Sequence, residues 1–119
     1  MSPKVIVVED NSDLLFLYKT ALEGKGFEVH AAHNVAQVMA LIESMIPDLI
    51  FLDIEMPGET GVGVVDHLRD DPQFASTRIV VVTANDRWRE RVGDKVDAFL
   101  VKPIGIAQLM ALADQLTQG

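Results

Sequence analysis

Acidic, basic and hydroxyl side chains lie at or just after the ends of four apolar runs in this 119-residue chain. Glu9 and Asp10 follow "VIVV", Asp53 follows "LIFL", Thr83 closes "RIVVVT", and Lys102 follows "AFLV". If these runs are parallel strands, their carboxyl ends meet at one edge of a sheet, where such sheets bind ligands. The sequence therefore predicts three carboxylates, a hydroxyl and an ammonium at one rim.

The charges of that rim indicate its chemistry. Three crowded carboxylates without a cation would raise the pKa of at least one of them, because like charges disfavour ionisation. A hard divalent ion removes that cost, and Mg²⁺ suits a site of one or two carboxylates, waters and a phosphate. Lys102 and Thr83 would then hold phosphoryl oxygens as a point charge and a hydrogen-bond donor. We therefore expect Mg²⁺, or Mn²⁺ in its place, together with a phosphoryl group.

Five short apolar runs rich in β-branched residues alternate with stretches of helical period. The predicted strands are 4–8, 27–31, 48–53, 78–83 and 98–101. The first helix is predicted from a stripe of Leu14, Leu17, Tyr18, Ala21 and Leu22, capped by Asn11 or Ser12 and ended by Gly24 to Gly26. Further helices are expected after Asn34 and over 61–70 and 104–116. Because the strands are apolar on both faces, the pattern predicts an α/β fold with a parallel sheet and helices on both faces.

Length and composition limit the classes of protein that fit. A chain of 119 residues, 49% hydrophobic and 24% charged, predicts one domain, 1–119. A net charge of −8 argues against direct nucleic-acid binding by this domain. The lack of cysteine excludes disulfides, thiolate metal sites and cysteine nucleophiles. Acids come too early for a secretory segment and no apolar run reaches the length of a membrane span, so we expect a cytoplasmic protein without membrane contact.

The motifs at the predicted strand ends resemble those of receiver domains of bacterial two-component response regulators. The matching residues, in order along essentially the whole chain, are the acid pair in "VVEDN", Asp53 in "LDIEMPGETG", Thr83 and Ala84 in "VVVTAN", and Lys102 and Pro103 in "FLVKP". Each motif is weak alone, whereas the ordered set is specific. The resemblance implies a flavodoxin-like (βα)5 three-layer sandwich with strand order 2-1-3-4-5 and a cis Lys102–Pro103 bond.

The resemblance also implies a mechanism. Asp53 attacks the phosphoryl group of a phosphohistidine on a sensor histidine kinase or a phosphotransfer protein and becomes an aspartyl phosphate. Mg²⁺ is held by the side chains of Asp10 and Asp53 and by the backbone carbonyl of Glu55, which the "EMPG" turn aims at the metal. Glu9 acts through a water or from behind these ligands, and Lys102 pairs with the phosphoryl group.

The implied switch lies beside the acceptor. The Thr83 hydroxyl and the Ala84 amide bind the remaining phosphoryl oxygens, and Phe99 turns inward when the threonine moves. The fourth and fifth helices and the fifth strand form the output face, which changes its affinity for an output partner or a fused output domain. A homodimer through the helical faces is compatible with the resemblance, although nothing in the sequence supports it.

Two features depart from the family pattern. Only 18 residues lie between Thr83 and Lys102, fewer than usual by roughly one helical turn of ~3.6 residues. The fourth helix, in "DRWRERVG", is therefore expected to be short or irregular. Phe99 also lacks the hydroxyl that many relatives carry as tyrosine at that position. Glu55 and Asn85 flank the phosphoryl site in this alignment and are expected to set how fast water removes the phosphate.

Two other functions fit part of the pattern. A free-standing Mg²⁺ phosphohydrolase would use Asp53 as nucleophile and Glu55 as general acid, but it needs a substrate pocket and usually a cap insertion, for which 119 residues leave no room. A pseudo-receiver would bind partners without phosphorylation, but the complete set of acids, threonine and lysine argues against it. The sequence predicts a self-modifying phosphoacceptor that can also lose its phosphoryl group to water, rather than an enzyme.

Each of these residues also has an ordinary structural role. Asp10 alone would cap a helix, Lys102 would be a surface lysine, Thr83 a strand residue and Phe99 a core aromatic. Their combination at one rim favours a site for a metal ion and a phosphoryl group. Trp88 is expected to be an exposed helix residue, with an output contact as the alternative.

Overall fold

A five-stranded parallel sheet forms the centre of the molecule, in a computed structural model that describes residues 2–118. Its strands are β1 (Lys4–Val8), β2 (Glu28–Ala32), β3 (Leu49–Leu52), β6 (Arg78–Thr83) and β7 (Ala98–Val101). They lie in the order β2-β1-β3-β6-β7, and every neighbouring pair is parallel. Counted over these five strands, this is the predicted order 2-1-3-4-5. The predicted domain, 1–119, extends one residue beyond the described range at each end.

The helices are α1 (Ser12–Gly24), α2 (Val35–Ser44), α3 (Val62–Asp70), α4 (Arg89–Val92) and α5 (Ile106–Thr117). As predicted, α1 begins after Asn11, whose side chain accepts a hydrogen bond from the Leu14 amide at 3.0 Å. Asn34 caps α2 in the same way. These side chains satisfy amides that a helix start otherwise leaves unpaired. The end of α1 also follows the prediction, because Gly26 takes a positive φ of 94° just after the helix.

Two hydrophobic cores, one on each face of the sheet, explain the continuous apolar strands. Alternate strand residues such as Ile6 and Ile50 pack with α2 and α3, whereas Val5 and Phe51 pack with α1 and α5. All four of these side chains are 2% exposed or less. The predicted layer of helices on both faces of the sheet is confirmed, and a sheet buried on both faces holds its strand ends rigidly.

One detail of the first helix was predicted wrongly. Leu17 is 50% exposed, and Leu15 is buried in its place at 3% exposure. The buried stripe of α1 is Leu15, Tyr18 and Leu22. Residues 14–17 are all apolar, so a helical period alone does not decide which of them faces the sheet.

The segment between β6 and β7 is irregular, as its shortened length predicted. A 3-10 turn over Asp86–Trp88 leads into the four-residue α4, and a second 3-10 turn over Gly93–Lys95 follows. Trp88 was predicted to be exposed, and this prediction is wrong. Its ring is half-buried against the core that lies under α2 and α3.

A small hairpin absent from the sequence prediction follows the central strand. It pairs β4 (Glu55–Met56) with β5 (Glu59–Thr60) around Pro57 and Gly58. Gly58 has a φ of 74°, the conformation that a type II turn requires after proline. The Lys102–Pro103 bond is cis, as the resemblance implied. Across residues 2–118, none of the helices is both long and apolar enough to cross a membrane.

Candidate functional site

Backbone hydrogen bonds continue past the strand ends and fix the polar residues at the carboxyl edge of the sheet. The Glu9 amide donates to the Ala32 carbonyl at 3.0 Å, and the Asp53 amide donates to the Val8 carbonyl at 3.1 Å. The Lys102 amide donates to the Thr83 carbonyl at 2.7 Å. Each of these three residues therefore lies one position beyond the end of a strand and is held by a hydrogen bond to the neighbouring strand.

Lys102 joins the two buried acids of this edge. Its Nζ lies 2.5 Å from Glu9 Oε1 and 3.1 Å from Asp53 Oδ2. The second oxygens of the two acids accept backbone amides, Asn11 N to Glu9 Oε2 at 3.1 Å and Glu55 N to Asp53 Oδ1 at 3.0 Å. All four carboxylate oxygens thus have a donor, which is what burial of two charged groups demands.

Burial changes the pKa of the acceptor acid, Asp53. Loss of solvation raises the pKa of Asp53 above its ordinary value, and the charge of Lys102 lowers it again without fully offsetting the burial. Glu9 adds a smaller increase. The sequence prediction that crowding raises one carboxylate pKa is confirmed in direction, although desolvation is the main cause. For Lys102, desolvation lowers the pKa, but the hydrogen bond to Glu9 and the charge of Asp53 outweigh it, so the net pKa is raised.

A third carboxylate completes an acidic cluster that is suited to a metal ion. Carboxylate oxygens of Glu9, Asp10 and Asp53 all lie within 4.8 Å of one another. Asp10 is exposed whereas the other two are buried, so the cluster opens to solvent on one side. One ammonium faces three carboxylates here, and an all-oxygen donor set of this kind matches the preference of hard divalent cations. The residues present therefore fit the predicted metal.

Thr83 lies at the same edge, but its hydroxyl is buried away from solvent. The residue is fully buried, and Oγ1 has no hydrogen-bond partner within residues 2–118. Ala84, the next residue, is exposed. A buried hydroxyl without a partner is costly, so Thr83 gains from any movement that brings an acceptor to it.

The structure also shows two arginine contacts that sequence analysis missed. Arg87 Nη2 lies 2.9 Å from Glu55 Oε2 and links the irregular segment to β4. The guanidinium of Arg89 lies 4.5 Å from the centroid of the Phe99 ring, which is half-buried. Asn85 Oδ1 accepts from the Arg87 amide at 2.9 Å. The charged run "DRWRER" was the only signal of these contacts, because loop geometry decides which acid or ring each arginine meets.

The structure therefore brings most of the predicted site residues together. Glu9, Asp10, Asp53 and Lys102 meet in one cluster, and Thr83 is bonded to Lys102 through the backbone. Phe99 lies on β7, two strands from Asp53, and it pairs with Val81 rather than joining the cluster.

Comparison with known proteins gives a consistent result. A family model described as the response regulator receiver domain matches residues 5–114. The chain is 34% identical over 114 residues to the phosphate regulon transcriptional regulatory protein PhoB of Rhizobium meliloti, a match that covers 93% of this chain and 50% of that protein. It is 31% identical over 114 residues to the polar-differentiation response regulator DivK of Brucella anthropi, with 92% of each chain covered. The chain thus spans about half of the PhoB relative but nearly all of DivK.

Solved structures show the same likeness. The response regulator TrrA of Thermotoga maritima, in complex with Mg²⁺ and BeF, superposes with a TM-score of 0.83 at 28% identity and covers 98% of this chain and 99% of that one. The chemotaxis response regulator CheY4 of Vibrio cholerae superposes with a TM-score of 0.87, over 98% of this chain and 99% of that one, and at 24% identity it supports the fold alone. Neither the phosphohydrolase nor the pseudo-receiver alternative is favoured by these matches. This chain belongs to the response regulator receiver domain family, whose members act as phosphoacceptors in two-component signalling.

Proposed function

We propose that Asp53 accepts a phosphoryl group from a phosphohistidine on a sensor histidine kinase or a phosphotransfer protein. The observation that carries the proposal is the placement of Asp53, which is 5% exposed, bonded to Lys102 at 3.1 Å, and within 4.8 Å of two other carboxylates. Few structural roles explain why three acids and one lysine should meet at a strand edge, whereas phosphoryl transfer explains each of them.

The transfer step uses the ionised carboxylate of Asp53 as nucleophile. One carboxylate oxygen forms a bond to phosphorus while the P–N bond of the donor breaks. The electron pair of that bond stays on the imidazole nitrogen, and the ring leaves as neutral imidazole when its other nitrogen carries a proton. Lys102 and the Glu55 amide favour the ionised form of Asp53 against the opposing effect of burial. After transfer, Lys102 pairs with phosphoryl oxygens and Glu9 keeps the ammonium in position.

The acidic cluster would hold Mg²⁺, with Mn²⁺ as an alternative. The proposed ligands are the side chains of Asp10 and Asp53 and the backbone carbonyl of Glu55. Glu9 is the acid nearest to the ammonium, with Oε1 2.5 Å from Lys102 Nζ, which supports a role for Glu9 as the partner of Lys102 behind these ligands. The ion would supply positive charge where an anionic phosphoryl group meets an anionic nucleophile. The structure of TrrA, which was solved in complex with Mg²⁺ and BeF, supports this assignment.

The buried Thr83 hydroxyl, which has no hydrogen-bond partner within residues 2–118, supports a role for Thr83 as the proposed switch. An aspartyl phosphate would offer acceptor oxygens to Thr83 and to the amide of Ala84. We infer that movement of Thr83 then changes the packing of Phe99, and with it the face formed by α4, β7 and α5. That face would act on an output partner or a fused output domain, and a homodimer through it is one such arrangement.

The remaining parts of the proposal concern the whole molecule. We propose that residues 1–119 form a single receiver domain that works in the cytoplasm and binds neither nucleic acid nor a membrane directly. It would act as a substrate of its partner and release phosphate slowly to water, rather than turn over an external substrate.

Intact-mass spectrometry after incubation with acetyl phosphate and Mg²⁺ tests the proposal. We expect one phosphoryl group on the native chain and none on Asp53→Asn. The matched control is Asp70→Asn, because Asp70 is exposed at the end of α3, and this variant should be modified like the native chain. A phosphoryl group on Asp53→Asn, or none on the native chain, would refute the acceptor assignment.

A further inference from the structure

An ion pair next to the acceptor ties two separate segments of the site together. Arg87 Nη2 contacts Glu55 Oε2 at 2.9 Å and so joins the 3-10 turn after β6 to β4. Two further contacts hold Arg87. Its amide donates to Asn85 Oδ1 at 2.9 Å, and its guanidinium lies 5.3 Å from the centroid of the Trp88 ring. The arginine is therefore directed at Glu55 although its side chain is 61% exposed.

Glu55 lies within reach of the acceptor. Its amide donates to Asp53 Oδ1 at 3.0 Å, so its backbone already touches the carboxylate that we propose becomes phosphorylated. Arg87 occupies one oxygen of the Glu55 side chain. The other oxygen, Oε1, is buried and has no hydrogen-bond partner within residues 2–118. In the closed ion pair neither oxygen is free for water, because Oε1 is buried and Oε2 is held by Arg87. A Glu55 carboxylate released from this pair is suited to accept a hydrogen bond from a water that approaches the phosphorus atom.

We propose that Arg87 is a positioning residue that sequesters the Glu55 carboxylate and thereby lengthens the life of the phosphoryl group on Asp53. This inference rests on the proposed function. In the hydrolysis that it restrains, a water oxygen bonds to phosphorus, the bond between phosphorus and the Asp53 oxygen breaks, and its electron pair returns to the carboxylate. Both protons of the water end on the released phosphate, which leaves as dihydrogen phosphate. Glu55, when free of Arg87, orients that water by accepting its hydrogen bond.

The size of the effect follows from the exposure of the pair. Arg87 is largely exposed and Glu55 is 30% exposed, so the pair opens part of the time. An exposed ion pair favours its closed form by a factor of about fivefold at most. Removal of Arg87 should therefore raise the rate of phosphate loss by roughly twofold to fivefold. Glu55→Gln alone should not raise the rate, because it removes the carboxylate that orients the water.

A time course of the phosphorylated fraction tests the inference. The chain is phosphorylated with acetyl phosphate and Mg²⁺, the donor is removed on a desalting column, and the remaining phosphoprotein is measured by intact mass. The variants are Arg87→Ala, Glu55→Gln, both together, and Arg87→Lys. The matched control is Arg91→Ala, which removes another exposed arginine of the same segment and its ion pair with Asp66.

The inference expects faster loss from Arg87→Ala, a return to the native rate in the double variant, and a near-native rate for Arg87→Lys and Arg91→Ala. A merely structural role of Arg87 would leave the double variant as fast as Arg87→Ala, and that result would overturn the inference. An unchanged or slower rate in Arg87→Ala, or loss of its phosphorylation, would overturn it as well. If the native chain itself accepts no phosphoryl group, the proposed function fails. If the native chain is phosphorylated but loses the group as fast as Arg87→Ala does, only the inference about Arg87 fails.

Discussion

Replacement of Lys102 by methionine should destabilise the protein strongly in the absence of metal ions. Lys102 Nζ is the shared partner of Glu9 and Asp53, whose side chains are only 3% and 6% exposed. Methionine has a similar length but no charge, so Lys102→Met would leave two buried carboxylates side by side. Like charges in such a position disfavour folding until one of them takes up a proton.

The expected loss can be estimated from the burial of the three groups. Removal of one partner from a buried ion pair typically costs about 3–5 kcal/mol. The Lys102 side chain is 22% exposed, so water weakens the native interaction, and protonation of one acid limits the damage. We therefore expect the free energy of unfolding to fall by about 2–3 kcal/mol at neutral pH, below the fully buried range.

Urea unfolding in EDTA measures this loss, with far-UV circular dichroism and Trp88 fluorescence as probes. The control is Lys19→Met, because Lys19 and Glu23 form an exposed pair within α1, with side chains 37% and 47% exposed, and such pairs contribute about 0–1 kcal/mol. Saturating Mg²⁺ should narrow the deficit of Lys102→Met, since a dication in the cluster replaces the missing charge. A loss no larger than that of Lys19→Met, or a deficit that Mg²⁺ leaves unchanged, would refute this account of the cluster.

Two further predictions concern stability away from the acceptor. Asn34→Ala should lower the free energy of unfolding by about 1 kcal/mol, and Asn34→Gly by only a few tenths, because the side chain caps α2; equal losses in urea unfolding would contradict this. The hydrogen bond from Arg91, with that from Lys95, lowers the pKa of Asp66 from 3.8 to about 2. The stability advantage of the native chain over Asp66→Asn should therefore be full above pH 3.8 and lost as pH falls toward 2. An advantage that persists at pH 2 would show that the ion pairs do not stabilise the fold.

The strands were predictable because a parallel sheet buried on both faces needs continuous apolar runs in the sequence, whereas their order came from the family resemblance. Runs such as "VIVV" and "LIFL" are apolar throughout, since both faces of each strand are covered. The predicted bounds were correct for the first, fourth and fifth strands and shifted by one residue at the ends of the others. Asp53, which was predicted as the last residue of the third strand, therefore lies just after β3. Its amide is still held there by a hydrogen bond to the Val8 carbonyl.

Sequence patterns failed where several choices satisfy the same rule. Leu15 and Leu17 both continue a helical stripe through Tyr18, and only packing on the sheet decides between them. The hairpin of β4 and β5 has two residues in each strand, too few for any alternation to show. Trp88 lies in the 3-10 turn before α4 and is half-buried against the core. The length of the segment predicted its irregularity but not the side on which the Trp88 ring packs.

The residues of the acidic cluster were predictable, whereas the arginine contacts beside it were not. Strand ends at one edge place Glu9, Asp53 and Lys102 on the same rim once the strand order is known, and the long side chain of Lys102 reaches the two acids across β6. The contacts of Arg87 and Arg89 depend on how an irregular segment folds over the edge, and no period or motif encodes that path. The residues that would carry the reaction are thus readable from the sequence, whereas the arginines that contact Glu55 and Phe99 are found only in the structure.

Reductive trapping tests the central claim most directly. Sodium borohydride reduces an aspartyl phosphate to homoserine, and peptide mass spectrometry then locates the modified residue. After treatment with acetyl phosphate and Mg²⁺, the account predicts homoserine at residue 53 and at no other aspartate. Homoserine at another position, or none in a folded chain that has been offered donor and metal, would contradict the claim that Asp53 is the phosphoacceptor.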